Sequence, residues 1–492
     1  MKVRSKRKRD LEGDFFAKVR KNAPIVIMII AICSLVFVIG NYIIERENFK
    51  SQIDSSIRKV DSLRHAGRFE EAIDEYESLS KIVPPKKFPY EYATLQNKLG
   101  IAYSRLSEIQ DKEDNIKKAI NAFEEAINVY TVENNYSTDY AMVQHNLGSA
   151  YGILSEVRNT EEYLKKAINA YQEALKIRTI GKYPIDYAET QEGLGTAYSN
   201  LAEVRDEEEN LKKAIIAHQE ALRIFMNKPN SYDYATTLFN LGTDYSKLAE
   251  VRDEEENLEK AIRAFIDSLN ILTVERYSSE YAMTQHNLGI AYSNLAEVRD
   301  EEENLEKAIR ALQDSLKIYT YEDYPILYAK TQHNLGIAYI KLAEVRDEEE
   351  NLQKAEENLE IAINAYQEAL KIRTIGKYPI EYAMTQEGLG TAYSKLAEVR
   401  DREENLENAI RAYQESLKIC TYEDYPILYA MIHNDLGKTY FQLSKVRDEE
   451  ENLRKAIIAY QEALKIFTET DYPKLYPTIK LEIETIESIL AY

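Results

Sequence analysis

Tyr281 to Ile318 reads YAMTQHNLGIAYSNLAEVRDEEENLEKAIRALQDSLKI, and nearly everything from about residue 90 to residue 468 is a copy of it. With the Leu-Gly pair as a marker, copies stand at Gly100, Gly148, Gly195, Gly242, Gly289, Gly336, Gly390 and Gly437, at intervals of 48, 47, 47, 47, 47, 54 and 47 residues. A fixed period of this size marks an array of stacked units.

The unit reads as two helices. In the first, Tyr281, Leu288, Tyr292 and Leu295 recur at heptad-like spacing, while Ala282, Gly289 and Ala296 form a stripe of small residues that lets a neighbouring helix approach closely. In the second, Leu211, Ala214, Ile215, His218, Ala221, Leu222 and Phe225 follow the i, i+3, i+4, i+7 rule of one broad buried face. Between the helices, Asp206 opens an Asp-Glu-Glu-Glu run, which predicts a side-chain N-cap and acids at the positive helix end.

These motifs, L-G-x-x-Y at Leu194, Gly195 and Tyr198 and A-x-x-x-Y-x-x-A-L at Ala167, Tyr171, Ala174 and Leu175, resemble the tetratricopeptide repeat. The long period is similar to the elongated variants of kinesin light chains and of bacterial and archaeal arrays. The resemblance covers roughly residues 51–492 and implies an all-α solenoid that binds a protein or peptide in a concave groove lined by first helices. In kinesin light chains, asparagines on the first helix hold an extended peptide backbone; the matching residues here are Asn146, Asn240, Asn287 and Asn334. The implied groove residues are Phe239, Asn240, Met283, His286, Asn287, Ile290, Asn294, Lys330, His333, Asn334, Ile337 and Lys341, centred on the copies at Gly242, Gly289 and Gly336.

Composition agrees with a helical array, since 492 residues hold only 11 prolines and 16 glycines. Residues 1–23 carry nine Lys or Arg against three acids, a net +6, which leaves −27 for the rest of a total of −21. An acidic array is a poor nucleic-acid binder. The rival function is structural, an array that assembles through its repeated edges.

In chain order, residues 1–23 form a basic tail and residues 24–44 hold 21 residues without a charge, about 32 Å as a helix, against roughly 30 Å of bilayer hydrocarbon. That predicts a transmembrane helix, with the basic tail cytoplasmic and the repeats extracytoplasmic. Residues 45–89 read as a short first repeat or cap, residues 90–468 as eight long repeats, and residues 469–492 as a polar capping helix. The 54-residue interval holds a seven-residue insertion ending at Glu356 to Ala362, which predicts a longer second helix.

Catalytic readings are weak. His145, His286 and His333 recur at one position, but Glu192, Phe239 and Glu387 fill it elsewhere, so they read as variable groove residues and not as metal ligands. His218 replaces Tyr171, Tyr413 or Tyr460 and reads as core. The Gly-Lys pairs at 181–182 and 376–377 lack phosphate-loop spacing, and Cys420 stands alone in the array. The expectation is a binding scaffold with no cofactor and no enzymatic activity.

Overall fold

The structure, a computed structural model, describes residues 2–130, 136–158, 160–228, 230–345 and 352–491, with side chains from residue 34 onward. It is 79% helix, with no strand among the described residues. Helix α1 (Lys2–His65) is followed by α2 (Phe69–Ile82) and by eight helix pairs. They are α3 (Pro89–Ser107) with α4 (Lys112–Ile127), α5 (Ser137–Ser155) with α6 (Thr160–Leu175), α7 (Pro184–Ala202) with α8 (Glu207–Phe225), and α9 (Tyr232–Val251) with α10 (Glu254–Leu269). The series continues through α11 (Ser278–Leu295) and α12 (Glu301–Leu316), α13 (Pro325–Val345) and α14 (Leu352–Leu370), α15 (Pro379–Val399) and α16 (Arg402–Ser416), and α17 (Pro426–Ser444) and α18 (Glu449–Leu464). Helix α19 (Leu475–Leu490) ends it. Two compact units result, Met1–Tyr183 with α1 to α6 and Pro184–Tyr492 with α7 to α19.

The marker glycine is explained by what it faces. A Cβ on Gly100 would stand 2.6 Å from the Phe123 ring and one on Gly148 2.9 Å from Tyr171. In the second unit the same clash would arise between Gly195 and His218 at 2.5 Å, Gly289 and Leu312 at 2.7 Å, and Gly437 and Tyr460 at 2.6 Å. Each first helix therefore lies against a large side chain of its own second helix, with room only for hydrogen at the contact.

The expected Asp cap takes a different form. Asp206, Asp253, Asp300, Asp401 and Asp448 adopt φ of 44–46°, the left-handed region, and none makes a side-chain capping bond. Short polar side chains tolerate this region better than branched ones. The chain turns sharply there, and an asparagine four residues later ties the turn down: Asn210 Nδ2 donates to the Arg205 carbonyl at 2.7 Å, Asn257 to Arg252 at 2.7 Å and Asn452 to Arg447 at 2.8 Å.

Successive copies are laced together at their edges. In the second unit Arg252 pairs with Glu208 at 2.8 Å, Arg299 with Glu255 at 3.0 Å and with Glu259, Arg400 with Glu356 at 2.5 Å and with Glu360, and Arg447 with Glu403 at 3.0 Å and with Glu407. Arg346, expected in the same ladder, lies outside the described residues. Of the inserted segment, α14 is described from Leu352 and is 19 residues long, as α8 is, against 16 for α10, α12 and α18. At the end of the chain α19 buries Ile479, Ile483 and Ile486 and leaves Lys480, Glu484 and Glu487 exposed, as a cap should.

The membrane expectation is corrected. No helix among the described residues is long and apolar enough to cross a membrane, so a single-pass protein with a span at 24–44, a cytoplasmic amino terminus and extracytoplasmic repeats is not supported. The described side chains of that stretch, residues 34–44, amount to about 16 Å of helix, half a bilayer core; the side chains of residues 24–33 lie outside the described set. Nor does α1 break near residue 23 or 44: it runs on to bury Ile53, Ile57 and Val60 in the core of the first unit.

Candidate partner-binding site

The residues expected in the groove sit on the first helices, and their neighbours explain how much of each is free. Three residues before the marker stand Glu192, Phe239, His286, His333 and Glu387, and two before it stand Asn240, Asn287, Asn334, Gly388 and Asp435. The asparagine of one copy reaches the residue of the copy before. Asn240 Nδ2 donates to Glu192 Oε1 at 2.9 Å, and Asn334 Nδ2 lies 3.4 Å from His286 Nε2. In the first unit Asn146 Nδ2 donates to Asn97 Oδ1 at 3.1 Å.

Asn287 breaks this row. Phe239 stands where its acceptor would be, and the Asn287 side chain makes no hydrogen bond among the described residues and is only partly buried. Phe239 is itself half-buried against Phe265, ring centroids 5.8 Å apart, and Met283, one turn before Asn287, is exposed. Ile290 and Ile337 are half-buried, as are Asn294 and Lys341, while Lys330 is exposed. Lys341 is held by Glu297 of the copy before.

The two histidines lie deeper than a groove surface. His286 and His333 are 5% and 9% exposed, and Nδ1 of each lies against a threonine of the next copy, Thr331 at 2.9 Å and Thr385 at 3.3 Å. Burial pushes both down to about 3, with the cations Lys330 and Arg373 adding to the effect at His286 and Arg373 at His333, so both rings are neutral at pH 7. Among the described residues no group of three or more His, Cys, Asp or Glu is placed to hold a metal. His218 is core, as its register predicts, but it carries a partner the pattern did not disclose: Nδ1 lies 2.7 Å from Asp244 Oδ2.

Two features of the first-helix face escaped the sequence reading. Met384 and Met431 are exposed and share the register of Met283, six residues before the marker. Arg373, half-buried after α14, donates from Nη1 to Thr385 Oγ1 at 2.9 Å. The methionines were findable by aligning the copies on their glycines. Arg373 repeats Arg178, but its contact with Thr385 was not legible because the same position carries Leu272, Tyr319 and Cys420 in other copies. In the first unit, clefts of about 430 and 410 Å³ open beside Tyr92, Tyr103 and Lys118 and beside Gln144, Tyr151 and Lys166; neither is lined by an expected groove residue.

A tetratricopeptide-repeat family profile matches residues 193–267, and a profile described as an uncharacterized protein conserved in bacteria matches residues 86–198. A search of curated proteins returns no match. Among solved structures, the nearly identical tetratricopeptide-like repeats of a putative kinesin light chain from Podosopora anserina are 14% identical, with 44% of this chain and 97% of that one covered and a TM-score of 0.33. The apo form of RapI is 15% identical over 85% and 98% of the two chains, with a TM-score of 0.42. A Rap protein complexed with competence and sporulation factor is 12% identical over 80% and 99%, with a TM-score of 0.37. Superpositions this loose add no argument about the site. The profile matched over residues 193–267 and the eight helix pairs built on one period show a helical repeat array of the tetratricopeptide type.

Proposed function

We propose that this chain is a protein-binding scaffold that takes an extended polypeptide across the first helices α9, α11 and α13, on Phe239, Asn240, Met283, His286, Asn287, Ile290, His333, Asn334 and Ile337. The observation that carries the reading is Asn287. It is an amide without a hydrogen-bond partner among the described residues, in register with the half-buried Phe239 of the copy before and one turn after exposed Met283. A peptide main chain would supply both the donor and the acceptor such an amide needs, and the apolar neighbours would select side chains. Asn240 and Asn334 are tied to Glu192 and His286, and so stiffen the row on either side.

The assembling-spacer reading is weaker because the repeated edge charges are already used within the chain, as in Arg252 with Glu208 and Arg447 with Glu403. The net charge of −21 favours a polypeptide over a nucleic acid. No catalytic step is assigned.

The test is a selection of phage-displayed peptides on the full chain, followed by affinity measurement on Asn287→Ala and Phe239→Ala variants of unchanged helicity. Loss of about tenfold or more is expected at each, the worth of a desolvated hydrogen bond or an aromatic contact. Selected peptides that bind both variants as they bind the parent would overturn the reading.

A further inference from the structure

A row of buried polar contacts crosses the first helices and stops one bond short. On α13, Thr331 Oγ1 donates to the Leu327 carbonyl at 2.8 Å, so His286 Nδ1, 2.9 Å away, carries the ring proton. Its Nε2 is then an acceptor, 3.4 Å from Nδ2 of Asn334, three residues after Thr331. One copy on, Thr385 Oγ1 donates to the Glu381 carbonyl at 2.6 Å and accepts from Arg373 Nη1 at 2.9 Å. That leaves His333 Nδ1, 3.3 Å away, as a donor and its Nε2 as a lone pair. Three residues after Thr385 stands Gly388, which has no side chain to meet it. The contact at Nδ1 is the one hydrogen bond His333 makes among the described residues, although the residue is 9% exposed and neutral.

A second unpaired group lies at the same glycine. A Cβ on Gly388 would stand 2.7 Å from Tyr366 Cζ and 2.8 Å from its hydroxyl oxygen, so the phenol points at the place where an asparagine side chain would begin. The Tyr366 and His333 rings meet edge to face, with centroids 5.5 Å apart. Tyr366 is 1% exposed, and its hydroxyl makes no hydrogen bond among the described residues. Elsewhere the residue after the marker glycine bonds this phenol: Ser149 Oγ lies 3.0 Å from the Tyr171 hydroxyl and Thr391 Oγ1 3.1 Å from that of Tyr413. Here that residue is Ile337. Burial, with Glu387 next in effect, raises the Tyr366 phenol, so it keeps its proton and is a donor. A buried acceptor and a buried donor left unpaired at one glycine are polar groups for something else to meet.

We propose that His333 and Tyr366 form a subsite for a carboxamide side chain, asparagine or glutamine, of the bound polypeptide. Its N–H donates to His333 Nε2, as Asn334 does one copy earlier within the chain, and its carbonyl accepts from the Tyr366 hydroxyl. The proposal rests on the protein-binding reading and names the chemistry of one position on that surface. A carboxylate offers no proton to Nε2, and an ammonium offers no acceptor to the phenol, so the pair selects the one side-chain group that carries both. Ile337, one turn after His333, and exposed Met384, one turn before Gly388, place apolar surface on the same two helices for the neighbouring residues of the partner.

The experiment uses the full chain at about 150 mM salt, near physiological screening, and three labelled octapeptides: leucine alternating with glutamine, with serine, and with glutamate. Fluorescence anisotropy is read for the parent, for Tyr366→Phe, for Tyr413→Phe as a control whose phenol is already bonded, and for Ile337→Thr against the isosteric Ile337→Val. The glutamine peptide should bind the parent best and lose about fivefold on Tyr366→Phe and little on Tyr413→Phe, the worth of one neutral hydrogen bond. It should also bind Ile337→Thr about fivefold more weakly than Ile337→Val, because a hydroxyl there captures the phenol within the chain. Equal losses at Tyr366 and Tyr413, no loss at Tyr366, no advantage of glutamine over serine, or no binding of any of the three to the parent would overturn the subsite. Glutamine-peptide binding that falls on Asn287→Ala and not on Tyr366→Phe would overturn the subsite and leave the scaffold reading standing. Circular dichroism and thermal melting of each variant report that the fold is intact.

Discussion

His218 and Asp244 meet at 2.7 Å with both side chains 1% exposed, an imidazole and a carboxylate bonded across two helices inside the array. Elsewhere the same two positions carry a tyrosine and an alanine, as in Tyr366 and Ala392. Removing one partner strands the other, so Asp244→Ala is expected to cost about 2–4 kcal/mol, as broken buried pairs do. The double change His218→Tyr with Asp244→Ala should recover most of that loss. A thermal double-mutant cycle checks it, and additive losses would show that the two residues act independently.

The left-handed aspartates give a backbone prediction. Asp300, at φ 45°, should tolerate Gly with no loss, whereas Val there should destabilise by about 1–2 kcal/mol because a branched Cβ is strained in that region. Asn304→Ala, which removes the 2.9 Å bond to the Arg299 carbonyl, should cost about 1 kcal/mol. Urea midpoints of the three variants separate the two effects.

Glycine at the marker should be far less replaceable than glycine in a loop. Gly437→Ala places a Cβ 2.6 Å from the Tyr460 ring, and an overpacked contact of this kind costs about 1–3 kcal/mol. Gly181→Ala meets nothing within 4 Å and should leave the melting temperature unchanged.

The pH response has two opposed parts. Burial, with Asp435 next in effect, pushes Glu387 up to about 7 from an ordinary 4.5, so the folded chain holds a proton that the unfolded chain has lost, and stability falls as pH rises from about 4.5 to 7. Glu387→Gln should therefore gain up to about 2–3 kcal/mol over the parent above pH 7 and nothing below pH 4.5. His286 and His333 act the other way: with folded values near 3 against an ordinary 6.5, their neutral burial is fully stabilising above pH 6.5 and is lost as pH falls towards 3. Melting temperatures at pH 4, 5.5 and 8 for the parent, Glu387→Gln and His286→Gln resolve the two contributions.

The charged edge should matter little to binding. Arg299 bridges Glu255 and Glu259 at an exposed position, so Arg299→Ala is expected to cost less than about 1 kcal/mol and to leave peptide affinity unchanged. A loss of affinity comparable to that of Asn287→Ala would move the interaction surface from the first helices to this edge.

What the sequence determined by itself is whatever a local rule can carry. The period, the two helices per copy, the proline that opens α7, α13, α15 and α17, and the apolar faces of the second helices all follow from residues within one unit, and so does the burial of His218. Tertiary structure decided the partners. That Asn240 is tied to Glu192 while Asn287 has Phe239 in the matching position, and that His286 and His333 bond threonines, depends on the register between copies, which sets residues 45–52 apart side by side. The aspartates before α8, α10, α12, α16 and α18 looked like ordinary caps because sequence does not report the sign of φ, which is left-handed at each of them. The uncharged run at 24–44 likewise stated its composition but not its surroundings. Charge content is a property of the stretch, whereas what covers an apolar surface is fixed by everything around it.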